Sequence, residues 1–383
     1  MLLILMILIV LGAVIGLIVN TGRKLFLWFR PLFNGGSAVI FGMVYGILML
    51  VILGLFVLSR LPDSKIPRVL FLVDHYALGV GVFVVLFVNI ADLILFILRL
   101  CHLLPTPLPQ GAAMTAGAAA LALSVVLSVY GGIHASVILT KSYDIVLQET
   151  DGETDSMRIA LISDLHMGYV VGTEHLEKIV KAVNAAEPDI VCIVGDIFDG
   201  DITALENPSE LQELFRQINA PYGVYACLGN HDAGAGYEGM LEFLDKTQVR
   251  LLQDESVLID DKIILAGRKD SSPIGDQGEK RTALEDVAEF ADYPRIILDH
   301  NPANIGEYQR KNDLILCGHT HRGQFFPVNV INEITMEVNY GYYRKNAKSP
   351  QVVVTSGAGT WGPPMRVGSD SEIAVLQVTF PEK

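Results

Sequence analysis

The order of hydrophobic and polar positions divides the chain into two unlike halves. Residues 2–19, 37–58, 76–98 and 112–133 are apolar over roughly the 20 residues that a helix needs to cross the hydrocarbon layer of a bilayer. Each predicts a transmembrane helix. An even number of spans puts Met1 and Lys141 on the same side of the membrane. The first stretch lacks the basic leading segment of a cleaved signal peptide, so it is expected to remain as a span. From Met157 the pattern changes to short apolar runs alternating with amphipathic segments, which predicts a layered α/β domain. Strands are expected at 159–162, 190–194, 224–228, 263–266, 296–298, 314–317, 352–355 and 373–378. Residues 174–186 set Leu176, Ile179, Val180 and Val183 on one helical stripe, and Pro188 ends that helix. The expected organisation is a transmembrane region with four helices at 1–140, a polar and acidic linker at 141–156 with one short strand at 145–147, and an α/β domain at 157–383.

Composition sharpens this division. Hydrophobic residues make up 51% of the chain, more than an ordinary soluble protein carries. Before Lys141 there are seven Lys/Arg against three Asp/Glu, leaving 21 basic and 39 acidic residues in the rest. A domain that acidic is not expected to bind nucleic acid, whose phosphates are held mainly by Lys and Arg. Orientation does not follow from charge: Arg60, Lys65, Arg68 and Lys141 on one side balance Arg23, Lys24, Arg30 and Arg99 on the other. Asp92, near Asn89, is the one carboxylate well inside an expected span, and such a residue is a candidate for a relay or transport role. Cys101, Cys192, Cys227 and Cys317 have neither the density nor the spacing of a disulfide framework or zinc knuckle, and the last three lie in apolar runs as core residues.

The chemistry-bearing residues fall where the expected strands end. Ile162 leads into Ser163-Asp164-Leu165-His166, Val194 into Gly195-Asp196-Ile197-Phe198-Asp199, and Leu228 into Gly229-Asn230-His231-Asp232. Leu298 leads into Asp299-His300, and Cys317 into Gly318-His319-Thr320-His321. In layered α/β domains ligands gather beyond the carboxyl ends of strands, so five loops are expected to converge. Carboxylates, imidazoles and one amide oxygen without thiolates suit Mn²⁺, Fe²⁺ or Zn²⁺ at a reactive site better than a structural zinc. A lone Asp-x-His is a common polar turn, whereas the Gly-Asn-His-Asp and Gly-His-Thr-His sequences are far more specific. No G-x-S-x-G or P-loop sequence is present. His175 lies outside these clusters and is expected at the surface.

This ordered set of motifs resembles the calcineurin-like metallophosphoesterases from about Met157 to the carboxyl terminus. The resemblance implies a four-layer α-β-β-α sandwich and two divalent metal ions. It implies that Asp164, His166, Asp196 and His321 hold one metal, that Asp196 bridges, and that Asn230, His300 and His319 complete the second. It places His231 beside the phosphate as proton donor, oriented by Asp199. Arg322, where relatives often have a small residue, Arg366 and Trp361 are candidate substrate contacts. Residues 356–366 resemble the secreted or membrane-bound bacterial branch, which implies the outer face of a bacterial plasma membrane.

The function implied is hydrolysis of phosphodiester or pyrophosphate bonds by a metal-bridging hydroxide, on lipid-linked or cell-envelope substrates. Two alternatives are a phosphomonoesterase and a non-catalytic membrane receptor or assembly protein retaining the fold. The second alternative is expected to have lost ligands, and here all seven metal-type positions and His231 are present.

Overall fold

A computed structural model describes residues 2–33, 36–61, 66–147, 152–284 and 293–381. Residues 148–151 of the expected linker, and Asp63 and Lys65 of the charge count, lie outside the described residues. Two compact units result, Met1–Gly131 and Gly132–Lys383.

The first unit is helical: α1 (Leu2–Phe29), α2 (Ala38–Ser59), α3 (Arg68–Leu100) and α4 (Gln110–Ala135), whose last turn belongs with the second unit. All four are long and apolar enough to cross a membrane, as the hydropathy pattern predicts. α1, α3 and α4 run beyond their apolar stretches, because helical hydrogen bonding continues into polar flanks that hydropathy does not mark, whereas α2 keeps the expected length shifted by one residue. The extension of α3 corrects one expectation. It starts at Arg68 rather than 76, so it contains a second carboxylate, Asp74, which is buried. Asp92 is partnered: Lys24 Nζ lies 2.5 Å from its Oδ1, and Asn20 donates both to Asp92 and to Asn89. This polar seam joins α1 to α3 by satisfying groups that lipid would leave unpaired.

The second unit opens with β1 (Ile138–Val146), β2 (Thr154–Ile162), α5 (Thr173–Ala185) and β3 (Ile190–Val194). Then come α6 (Pro208–Arg216), β4 (Val224–Cys227), α7 (Tyr237–Asp245), β5 (Val249–Leu251), β6 (Glu255–Ile259) and β7 (Ile263–Gly267). The chain closes with β8 (Arg295–Leu298), β9 (Asp313–Cys317), α8 (Val328–Thr335), β10 (Gly341–Tyr343), β11 (Gln351–Val354) and β12 (Ser371–Pro381). Two six-stranded sheets form, ordered β1-β12-β2-β3-β4-β5 and β10-β11-β9-β8-β7-β6.

Alternate side chains of each central strand feed different layers, as the two-residue period of a strand requires. Ile159, Leu161, Cys192 and Val194 from the first sheet meet Leu265, Ile296, Leu298, Leu314 and Leu316 from the second, making the core between the sheets. Ala160, Ile162, Val191 and Ile193 face the other way, onto Ile179 and Val183 of α5 and Phe215 and Phe243 of α6 and α7. Burial on both faces explains why these strands read as unbroken apolar runs. Outside the second sheet, Ile297, Ile315 and Val352 pack against Tyr308, Val338 and Ile305, the last within the 3-10 turn Pro302–Glu307.

The expected linker needs correcting. Its first part belongs to β1, which pairs in parallel with β12 from Ile138↔Ser371 to Val146↔Thr379. Lys141, Ser142 and Asp144 read as linker because β1 is an edge strand. It is held by its main chain, with half its side chains in solvent.

Candidate metal centre

Four of the five motif-bearing strands end where expected and β4 ends one residue earlier, at Cys227 rather than Leu228; their loops converge. In β2, β3 and β4 the last strand residues are Ile162, Val194 and Cys227, with Leu298 and Cys317 ending β8 and β9. Main-chain bonds fix the loops: Asp164 N–H donates to Gly195 O, His166 N–H to Asp196 O, and Gly318 N–H to His300 O. Five of the metal-type residues sit in the left-handed region, namely Asp164 (φ 53°), His166 (48°), Asp196 (50°), His319 (70°) and His321 (48°). Non-glycine residues there cost about 1–3 kcal/mol each, and such strain gathers at sites where surrounding structure over-determines the backbone.

Two cradles result. In one, His321 Nε2 lies 3.3 Å from Asp164 Oδ1 and 3.1 Å from His166 Nε2, and His166 Nε2 is 3.6 Å from Asp196 Oδ2. In the other, His300 Nε2 lies 3.1 Å from the same Asp196 Oδ2, and His319 Nδ1 is 2.9 Å from Asn230 Oδ1. Asp196 thus belongs to both. The ligand atoms of Asp164, His166 and His321, and those of Asp196, His300 and His319, lie within 4.8 Å of one another.

The donor chemistry fits divalent cations. His300 Nδ1 is bound to Val194 O at 2.9 Å, while its Nε2 is buried and makes no hydrogen bond. A ring whose Nδ1–H is spent on a carbonyl presents the Nε2 lone pair, the form in which histidine ligates metal. That nitrogen lies 3.1 Å from Asp196 Oδ2, so a cation that displaces a proton from the ring would find two ligands side by side.

Electrostatics divides the four rings into pairs. Burial opposes a proton on His300, but the carboxylates of Asp196, Asp164 and Asp270 outweigh it and hold the ring well above the ordinary imidazole range. His166 is raised likewise, burial being outweighed by Asp199, Asp196 and Asp164. Burial, His166 and the guanidinium of Arg366 push His321 well below that range, and burial and His300 lower His319. The latter two are neutral rings, ready as ligands.

His231 stands at the edge of this cluster. Its N–H donates to Asp196 Oδ1 at 2.8 Å, and its ring centroid is 5.1 Å from His166 and 5.7 Å from Trp361. Asp199, expected to orient His231, does lie within 4.8 Å of a His231 ring nitrogen, and its Oδ1 is also 3.5 Å from His166 Nδ1.

Three further residues were expected at the substrate or at the surface. Arg366 does not face substrate: it is fully buried, and its guanidinium donates to the carbonyls of Ser356, Gly357, Gly359 and His321. A long side chain was needed to satisfy carbonyls of the glycine-rich loop, and that demand is invisible in the motif. Arg322 lies over the Tyr340 ring, 4.3 Å from its centroid. His175 is half-buried, its Nε2 2.8 Å from Ala358 O, and not at the surface.

Sequence reasoning passed over Asp232. Its buried carboxylate accepts the N–H groups of Ile197, Phe198 and Gly229, tying two ligand loops together. Its place beside His231 was the available signal. Asp299 likewise anchors its loop, accepting from Arg281 and Tyr308.

Facing sheets with Asp, His and Asn donors gathered at the carboxyl ends of their strands define a metallohydrolase. The model of the calcineurin-like phosphoesterase family matches residues 157–323. An uncharacterized metallophosphoesterase of Aquifex aeolicus is 30% identical over 67% of this chain and 97% of its own length. A transmembrane protein with a metallophosphoesterase domain from Danio rerio is 33% identical over 66% of this chain, with 60% of its own length matched. UDP-2,3-diacylglucosamine pyrophosphatase LpxG of Chlamydia trachomatis is 25% identical over 58% of this chain and 84% of its own. The chain belongs to the calcineurin-like phosphoesterases, metal-dependent phosphoester hydrolases, and carries four apolar helices that associate it with a membrane.

Proposed function

We propose that the protein hydrolyses phosphodiester or pyrophosphate bonds of lipid-linked or cell-envelope substrates. The observation that carries this reading is the pair of cradles sharing Asp196, with His231 at their edge. Asp164, His166, Asp196 and His321 would hold one divalent cation; Asp196, Asn230, His300 and His319 would hold the second. Such cations lower the pKa of water and offset the charge of a phosphoryl group, which reconciles an acidic domain with an anionic substrate.

The chain's own residues do the rest. His231 presents an imidazole from which a leaving oxygen can take a proton. Asp199 orients the rings of His231 and His166. Asp232 holds the two ligand loops in register, and Arg366 ties the loop at 356–359 to the main chain of His321. The membrane helices and the UDP-2,3-diacylglucosamine pyrophosphatase among the relatives favour a lipid-linked substrate. The bacterial plasma membrane, with the catalytic domain on its outer face, is the setting this reading implies.

The test is turnover by the full chain in detergent, loaded with Mn²⁺, on a chromogenic phosphodiester and a phosphomonoester. Diester cleavage abolished by chelator and by Asp196→Asn is the expected result. Preference for the monoester would replace the diesterase with a phosphomonoesterase. A folded, metal-loaded protein that cleaves neither soluble esters nor lipid pyrophosphates would be a receptor that has kept the fold.

A further inference from the structure

α8 is an unusual surface element for a soluble domain. Val330, Ile331 and Ile334 are 45%, 51% and 78% exposed, Phe326 and Val328 just before and at its start are exposed too, and no residue of the helix is buried. The helix is nevertheless firmly seated. Phe326 N–H donates to Val367 O at 2.8 Å, Asn329 reaches Gly368 O, and Gly323 packs so closely on Asn329 that a Cβ there would lie 2.4 Å from its Cα. An apolar face held outward by a rigid base marks an interaction surface.

Strand register says what this surface meets. Val367 and Gly368 precede β12, and the residues opening β12 hold the last turn of α4: Asp370 Oδ1 lies 2.9 Å from His134 Nε2, and Ser371 Oγ donates to Ala135 O at 2.8 Å. The seat of α8 is therefore three or four residues from the point where the chain leaves its fourth apolar helix. The metal centre lies at the same end. β1 runs parallel to β12 with Lys141 opposite Ala374, and β2 runs back antiparallel with Leu161 opposite Ala374. Asp164 follows Leu161 by three residues and Ile138 precedes Lys141 by three, so the ligand loop is level with the start of β1. Ile138 is three residues from Ala135, about 10 Å of extended chain.

We infer that the apolar face of α8, with Phe326 and Trp361, docks on the bilayer surface and turns the mouth of the metal centre toward lipid headgroups. This deepens the lipid-linked reading of the same site. Trp361 is 37% exposed, joins the base of α8 through the Gln324 side-chain amide, which donates to Trp361 O and accepts from Trp361 N–H, and neighbours His231, so one surface connects the lipid-facing helix to the reacting centre. Val, Ile, Phe and Trp on a short amphipathic helix are the residues that partition into the headgroup and acyl boundary.

The test uses the full chain in nanodiscs of phosphatidylethanolamine and phosphatidylglycerol, with Cys101→Ser removing the one exposed thiol. An environment-sensitive fluorophore is placed at Ile334→Cys, or, as control, at Arg250→Cys on β5, the strand at the opposite edge from β1. Lipids brominated in their acyl chains are expected to quench the label at 334 at least about twofold more than the control, and Ile331→Glu should bring it to the control level. Equal quenching at the two positions would overturn the inference. So would a label shielded from aqueous iodide yet untouched by brominated lipid, which would mean that a second copy or another protein covers the face. Because this readout needs no turnover, failure of the hydrolase reading and failure of the docking surface are separately visible.

Discussion

His300 shows how a single residue is prepared for a cation before one arrives. Its Nδ1 is committed to Val194 O, while Asp196 and its neighbours stabilise a proton on the ring. A metal must displace that proton. His300 and His166 both bind protons above the ordinary imidazole pKa, so Mn²⁺ affinity is expected to keep rising with pH through and above about 6.5. Calorimetry near neutral pH, in two buffers of different ionisation enthalpy, should register net proton release that shrinks in His300→Ala. Binding without proton release would contradict the assigned ring states. Gly195 makes a second case. Its φ is +75°, and a Cβ would lie 2.5 Å from His300 Nδ1. Gly195→Ala should therefore displace His300 and lower the bound metal, read by elemental analysis. Asp232→Ala strands three buried N–H groups, each costing about 1–3 kcal/mol, and a thermal midpoint unchanged from wild type would refute its role as the tie between loops.

Among elements, hydropathy located the four apolar helices well and placed the ends of α1, α3 and α4 short, since the polar turns flanking those apolar stretches are helical too. The strands in the middle of the sheets were legible because both faces are buried, although β2 and β12 run past their expected stretches, whereas β1, β5, β6 and β10 were missed or cut short. β1, β5, β6 and β10 lie at sheet edges, where polar side chains and three- to nine-residue lengths leave a weak pattern. The α1–α3 seam was only half legible: Asp92 stood out, but its pairing with Lys24, 68 residues away, requires the fold. Removing one member leaves the other charge unpaired, while replacing both with apolar residues does not. Lys24→Met and Asp92→Leu should each destabilise the detergent-solubilised protein, and the double variant should be more stable than either. Additive losses in thermal unfolding would show that the pair is not coupled.

At the level of the whole molecule, four crossings by the four apolar helices would place the amino terminus and the catalytic domain on one side. A membrane-impermeant thiol reagent should then reach a cysteine added before α1 and one at Arg250 from the same face of sealed vesicles, whereas labelling from opposite faces would remove one span from the count. Hydropathy and motif order by themselves determined the membrane region, the α/β class, the seven ligand types and the family, because bilayer thickness, strand burial and metal chemistry each impose a local pattern on neighbouring residues. Only the tertiary structure decided that Asp196 Oδ2 lies near both His166 and His300, that Asp199 lies beside His166 as well as His231, that Arg366 is a buried anchor, and that β12 brings the ligand loop of Asp164 level with the start of β1. Those arrangements join residues from tens to more than two hundred positions apart. Their energies come from strand register, burial and charge in three dimensions, which no local pattern in the chain records.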